Sequence, residues 1–81
     1  MGMHAMVSGV EVKYNRGLDQ AMRAIRGVDR DHYVAVDGIV IITREEASEA
    51  VNWLFANEHY EMMGYIISWL EMRTGRDLVF V

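Results

Sequence analysis

Residues Thr43–Gly75 read TREEASEAVNWLFANEHYEMMGYIISWLEMRTG, and this stretch decides the fold of the chain. It contains both tryptophans and no proline. Its first four residues form a capping box, in which Thr43 accepts a hydrogen bond from the amide of Glu46 and the Glu46 side chain reaches back. The sequence therefore predicts a helix that begins after Thr43 and stops near Gly75.

A helical wheel of residues 44–73 shows two apolar stripes, whereas a helix packed on one face needs a single stripe about 100° wide. The first stripe consists of Ala47, Val51, Leu54, Phe55, Met62, Tyr65, Ile66 and Trp69. The second consists of Trp53, Ala56, Tyr60, Met63, Ile67 and Leu70. We expect the first stripe to lie in the core and the second to be buried against another surface.

The length of this helix raises a further question. A continuous helix over residues 44–73 would span about 45 Å at 1.5 Å per residue, which exceeds the diameter of a compact domain of this size. Either the helix breaks near Asn57–His59 and folds back, or it stays straight and its overhang packs on a partner chain. Because neither proline nor glycine enforces a break there, we favour the continuous helix with a partner.

The remaining segments complete an α+β pattern. Alternation over Met6–Tyr14 predicts a strand, Asn15 and Gly27 bound a predicted helix, and Leu78–Val81 is a short terminal strand. Asp37-Gly38 predicts a type I′ hairpin between the apolar runs of residues 32–43, both faces of which are apolar. The order is βαββαβ, as in ferredoxin-like folds: a small antiparallel sheet with two helices, the second unusually long or split near residues 57–59.

Composition limits the classes of function. With 81 residues the chain is expected to form one domain, residues 1–81, in which residues 1–5 are a disordered end or a cloning remnant. The net charge of −4 argues against nucleic-acid binding. The lack of cysteine, of a signal peptide and of a long apolar run favours a cytoplasmic protein without a membrane segment.

Half of the basic residues fall within fifteen positions. They could bind a phosphate or carboxylate, because guanidinium groups grip both. The alternative is a solvated helix face paired with Asp19 or Asp29, which we favour. The candidate anion-binding residues are Arg16, Arg23, Arg26 and Arg30.

No catalytic or metal-binding pattern is recognisable. Glu58, His59 and Glu61 lack the Glu-x-x-His spacing of helical di-iron sites and the His-Glu-x-x-His spacing of zinc helices. The serines lack a nucleophile-elbow context. We therefore expect a protein that is not an enzyme and that has no metal or cofactor.

The leading hypothesis is a non-catalytic module that binds another protein, a second copy of itself included, through the second apolar stripe. Its size and acidity suggest an accessory protein of a phage or mobile element that inhibits or modulates a host complex. The alternative is a ferredoxin-like regulatory domain that senses a small anion through the arginines. The candidate partner-binding residues are Trp53, Tyr60, Met63, Tyr65, Ile67 and Trp69, with Glu58 and Glu61 at the rim.

Overall fold

The computed structural model describes residues 2–81, which form a small α+β unit of four strands and three helices. The strands are β1 (His4–Val7), β2 (Val10–Lys13), β3 (Val40–Ile42) and β4 (Leu78–Phe80). The helices are α1 (Arg16–Arg26), α2 (Arg44–Ala56) and α3 (Tyr60–Glu71). The predicted α+β class is confirmed, but the order is ββαβααβ and not the βαββαβ order of ferredoxin-like folds.

The strands form two antiparallel pairs that meet at one point. β1 pairs with β2, and β3 pairs with β4. His4 of β1 and Val81, next to β4, exchange two backbone hydrogen bonds of 2.8 and 3.0 Å. His4 and Ala5 thus lie in a strand, within the segment that the sequence suggested as a disordered end.

The first predicted strand is wrong because it contains a turn. Ser8 and Gly9 both have positive φ, 50° and 79°, so the chain reverses there and Val7 lies opposite Val10. This is the backbone geometry of a two-residue hairpin. The alternation holds on each side of the turn, which is why it resembled one long strand.

The predicted turn at Asp37-Gly38 is present, but the strand before it is not. Both residues have positive φ, and Val36 pairs with Ile39 across the turn. Upstream, the Arg23 guanidinium binds the backbone carbonyl oxygens of Asp29 and His32 at 2.8 and 2.5 Å. These hydrogen bonds hold residues 29–32 against α1, so the residues before the turn do not form the predicted strand.

The long helix breaks, and the preference for a continuous rod is wrong. Glu58 has φ 63°, the amide of His59 donates to the Leu54 carbonyl, and that of Glu58 donates to the Phe55 carbonyl. This pair of bonds is the Schellman motif, in which a left-handed residue ends a helix. The longest extent of the domain is 33 Å, shorter than the rod would have been. The break falls at residues 57–59, the site of the alternative named above, although neither proline nor glycine enforces it.

Two local predictions about helix starts are confirmed. The Asn15 side chain accepts from the amide of Leu18 at 2.9 Å. Thr43 and Glu46 form the reciprocal capping box, with distances of 3.1 and 3.0 Å. Both motifs satisfy amide groups that the first helical turn leaves unpaired. Gly27 ends α1 in the left-handed conformation, also as predicted.

Arg44 and His59 hold the helices in place. The Arg44 guanidinium donates to the Leu70 carbonyl at 2.5 Å and lies 5.0 Å from the Trp69 ring, so the start of α2 is joined to the end of α3. His59 stacks on Trp53 with ring centroids 5.8 Å apart and an angle of 8°. A Cβ at Gly17 would come within 2.8 Å of the His59 ring, so α1 approaches this stack closely.

The core lies between one face of the strands and the inner faces of the three helices. From the predicted first stripe, α2 and α3 contribute Ala47, Leu54, Met62, Ile66 and Trp69 to this core. The buried members with the largest side chains are Phe80, Leu18, Met22, Ile42, Leu54, Ile66, Val7 and Val40.

Replacing Glu58 by glycine is expected to raise the free energy of unfolding by about 0.5–1 kcal/mol. Glycine adopts the left-handed conformation of this position without the steric cost that a side chain carries. Glu49→Gly, the same exchange at an exposed position inside α2, should lower stability by about 1 kcal/mol. Chemical denaturation measures both, and a destabilising Glu58→Gly would contradict the observed helix break.

Candidate functional site

Two of the four candidate anion-binding arginines are held by carboxylates. Arg26 makes a two-bond ion pair with Glu46, at 2.7 and 3.0 Å, and also donates to the Ile41 carbonyl. Arg23 pairs with Asp19 at 2.9 Å. The hydrogen bond to Glu46 raises the pKa of Arg26, and the same bond holds the pKa of Glu46 below its ordinary value. Both arginines therefore join elements of the fold.

A shallow cavity of about 450 Å³ brings the other two arginines together with Arg23. Arg16 and Arg30 line it, whereas Arg26 lies elsewhere. The Asp19 carboxylate lines the same cavity, and its negative charge opposes the entry of an anion. The arrangement is that of a structural ion pair with two arginines at its edge, not of a converging anion site.

Tyr14 completes the contacts around Asp19. Its hydroxyl donates to the Asp19 carboxylate at 2.9 Å, and its ring packs edge-on against Phe80, with centroids 5.3 Å apart. Burial and the Asp19 hydrogen bond raise the pKa of the tyrosine hydroxyl. Tyr14 thereby links the first hairpin, α1 and β4.

The residues predicted to bind a partner divide into three groups. Tyr60, Ile67, Glu58 and Glu61 are exposed, and Trp53, Met63 and Tyr65 are half-buried. Trp69 is 5% exposed, and its side chain belongs to the core beneath Arg44. Seven of the eight residues thus reach the surface of the helical pair, and Trp69 does not.

Three exposed apolar side chains of α2 and α3 and one half-buried side chain, that of Met63, form a surface that we name the hairpin surface: Phe55, Tyr60, Met63 and Ile67. The Phe55 and Tyr60 rings pack edge to face across the interhelical loop at 6.0 Å, although they are 61% and 52% exposed. Tyr60, Met63 and Ile67 follow at helical spacing. Glu58 and Glu61 border the surface. The helical wheel predicts Phe55 in the core stripe, because a continuous helix would bury it.

The outer face of the strands carries a second exposed apolar surface, the sheet surface. Ile41 lies opposite Val79 across the β3–β4 pair, and Val36 lies opposite Ile39 across the turn. The sequence indicates this surface through the apolar character of both faces of residues 32–43, although no candidate site was predicted there. The members are Met6, Val36, Ile39, Ile41, Val79 and Val81.

Comparison with known proteins adds no family to these observations. The chain matches no protein-family model, no curated protein and no solved structure.

Two further findings concern residues 2–81. No group of three or more His, Asp or Glu side chains in this range is placed to hold a metal ion. None of the three helices is long and apolar enough to cross a membrane.

Proposed function

We propose that this chain is a non-catalytic protein-binding module and that the hairpin surface is its contact site. The observation that carries the proposal is the exposed pair of aromatic rings, Phe55 and Tyr60, at the end of the helical pair. Aromatic rings bury a large area on binding, and tyrosine is frequent among the residues that dominate interface energies. Two such rings in mutual contact are already ordered, which lowers the entropy lost on binding.

The composition of the hairpin surface supports a particular kind of partner. Its centre combines Phe55, Tyr60 and Ile67 with the adaptable side chain of Met63, a composition enriched at interfaces. The charges at its border, Glu58 and Glu61, are both negative and exposed. We therefore propose a partner that presents an apolar segment flanked by lysine or arginine, because opposite charges at the rim favour specificity and fast association.

We further propose that the binding serves to inhibit or modulate a host complex, as an accessory protein of a phage or mobile element would. This rests on the small size and acidic charge of the chain. This role requires that the captured partner be a subunit of a larger assembly. It also requires that the basic surface of the partner be functional in that assembly.

Tyr60→Asp is expected to weaken partner binding about tenfold or more, because it places a charge in the apolar centre of the contact. Tyr60 is the first residue of α3, where aspartate is tolerated by the helix dipole, so the fold should persist. The partner would be captured from the native host and identified by mass spectrometry, and the dissociation constants would then be measured by calorimetry.

The matched control is Ser48→Asp, at another exposed position on the helical pair, which should leave the affinity unchanged. Ile41→Asp introduces the same charge on the sheet surface. If Tyr60→Asp leaves the affinity for the partner unchanged and Ile41→Asp abolishes binding, the contact site is the sheet surface. That result would contradict the proposal. Capture of no partner by the wild-type chain would also count against it.

A further inference from the structure

β2 presents a free edge with a defined set of backbone groups. Among residues 2–81, no strand pairs with the side of β2 opposite β1. The Tyr14 amide donates to the Met3 carbonyl, and His4 directs both of its backbone groups to Val81, away from β2. Since bonded and non-bonded pairs alternate in an antiparallel ladder, the backbone groups of Glu11 and Lys13 point outward from the free edge.

A groove runs beside this edge. Its volume is about 250 Å³, and its lining joins β2 to one side of α3. Val12, Met62 and Tyr65 contribute its apolar part, and Glu61 lies at its border. A strand added to β2 would therefore gain backbone hydrogen bonds and cover apolar surface beside α3, as in β-strand addition.

The charges on β2 make its edge complementary to itself. Glu11 and Lys13 both lie on the outer face of the strand and are exposed. In an antiparallel pairing of two copies centred on Val12, Glu11 of each copy lies opposite Lys13 of the other. In each of these two pairs, Glu11 and Lys13 exchange backbone hydrogen bonds, and their opposite charges lie close together. Opposite charges on paired strands stabilise the pairing.

Registers shifted by two residues in either direction keep the outward-pointing backbone groups paired but are less favourable. One places Glu11 opposite Glu11 of the second copy, and the other places Lys13 opposite Lys13, so like charges meet. A lone charged residue discourages edge pairing, but a Glu-x-Lys sequence centred on a two-fold axis selects one antiparallel register. From the free edge, the groove and this charge pattern, we propose that two copies of the chain form a symmetric dimer by pairing β2 with β2.

The dimer contact and the proposed partner contact share one residue, Glu61, which lines the groove and borders the hairpin surface. The groove uses Glu61 and Tyr65 on one side of α3, whereas Tyr60, Met63 and Ile67 project from another side of the helix. The hairpin surface of each copy therefore remains open, and the dimer presents it twice. Failure of partner binding would leave the dimer unaffected, and failure of the dimer would leave single-site partner binding intact.

The test is a charge exchange, measured by sedimentation equilibrium on the full chain. Glu11→Lys and Lys13→Glu are each expected to raise the dimer dissociation constant about tenfold or more, because each replaces two opposite-charge pairs by two like-charge pairs. The double variant Glu11→Lys/Lys13→Glu should restore the wild-type constant, since the opposite-charge pairs return with reversed polarity. An equimolar mixture of the two single variants should form a heterodimer.

Circular dichroism provides the folding control: both side chains are exposed, and the one ion-pair contact at stake is that of Glu11 with the His4 ring, 3.6 Å away. Tyr60→Asp is the matched surface control and should leave the dimer intact. A wild-type chain that stays monomeric at about 100 μM would overturn the proposal, as would a double variant that dissociates like the single ones. A dimer lost in Tyr60→Asp and insensitive to both charge reversals would place self-association on the hairpin surface and equally overturn it.

Discussion

Replacing Phe80 by alanine is expected to lower the free energy of unfolding by about 3–5 kcal/mol, the range measured for large-to-small changes at buried aromatic positions. Phe80 is 0% exposed and lies opposite Val40 in the β3–β4 pair. Its ring also packs edge-on against Tyr14, so the change opens a cavity between the two strand pairs and the helices. A domain of this size has a total stability of about 5–10 kcal/mol, so the change removes between about a third and all of the stability.

Val79→Ala is the control for this prediction. Val79 precedes Phe80 on the same strand but faces outward, with 41% of its surface exposed. Its truncation should cost about 1 kcal/mol or less, since little buried area is lost. Urea denaturation followed by circular dichroism measures both variants. Equal losses at the two positions would contradict the assignment of inner and outer faces in β4.

Replacing Glu46 by alanine is expected to lower the free energy of unfolding by about 2.5–4 kcal/mol. The Glu46 side chain accepts two hydrogen bonds from Arg26 and one from the Thr43 amide. Hydrogen bonds to charged groups contribute about 1.5–3 kcal/mol, and loss of a cap adds about 1 kcal/mol. The variant also leaves Arg26 without its carboxylate between α1 and α2.

Glu45→Ala is the matched control, because Glu45 occupies the same first turn but is exposed. Its loss should remove only the interaction with the helix dipole, about 0.5 kcal/mol. If Glu45→Ala lowers the free energy of unfolding as much as Glu46→Ala does, the Arg26 contact contributes little. Thermal denaturation of both variants at neutral pH provides the comparison.

The pH dependence of this contribution has a definite sign. Because the Arg26 hydrogen bond lowers the pKa of Glu46 in the folded state, the stabilisation is fully present above the ordinary glutamate pKa. It is lost as the pH falls through the lowered folded-state value. The stability difference between wild type and Glu46→Ala should therefore be constant near neutrality and shrink in acid. A difference that grows as the pH falls would contradict the ion pair.

The features predicted correctly are those that a few neighbouring residues determine. The capping box at Thr43 and Glu46, the Asn15 cap, the Gly27 stop and the Asp37-Gly38 turn all depend on side chains within about four positions. Local hydrogen bonds and the steric freedom of glycine decide such features. A single sequence therefore contains enough information to place them.

The features missed depend on contacts between distant segments. A break near residues 57–59 was one of two alternatives, and the wrong one was preferred because the cost of a left-handed Glu58 is offset by contacts of the folded-back helix, such as that of Arg44 with the Leu70 carbonyl. The loop after α1 is fixed by Arg23, which a local pattern assigns to the surface. Ser8-Gly9 is the exception, since a glycine within an alternating run can mark a turn.

The error about the helix also affected the prediction of the candidate site. Trp53, Tyr60, Met63 and Ile67 belong to the second stripe and Tyr65 to the first, and all five reach the surface of the helical pair. Phe55 was missed because one helical wheel was drawn through the break. The burial of Trp69 follows from its contacts with Arg44 and the core, and the wheel alone could not separate it from its exposed neighbours.

The fold-back of residues 43–75 can be tested with one distance. The chain contains no cysteine, so Glu45→Cys/Glu71→Cys accepts spin labels at two exposed helical positions. Pulsed electron paramagnetic resonance, with excess unlabelled chain to suppress distances between copies, reports their separation. Two packed helices with axes 8–10 Å apart predict a label distance below about 20 Å. A distance of about 40 Å, the length of a continuous helix between these residues, would contradict the account.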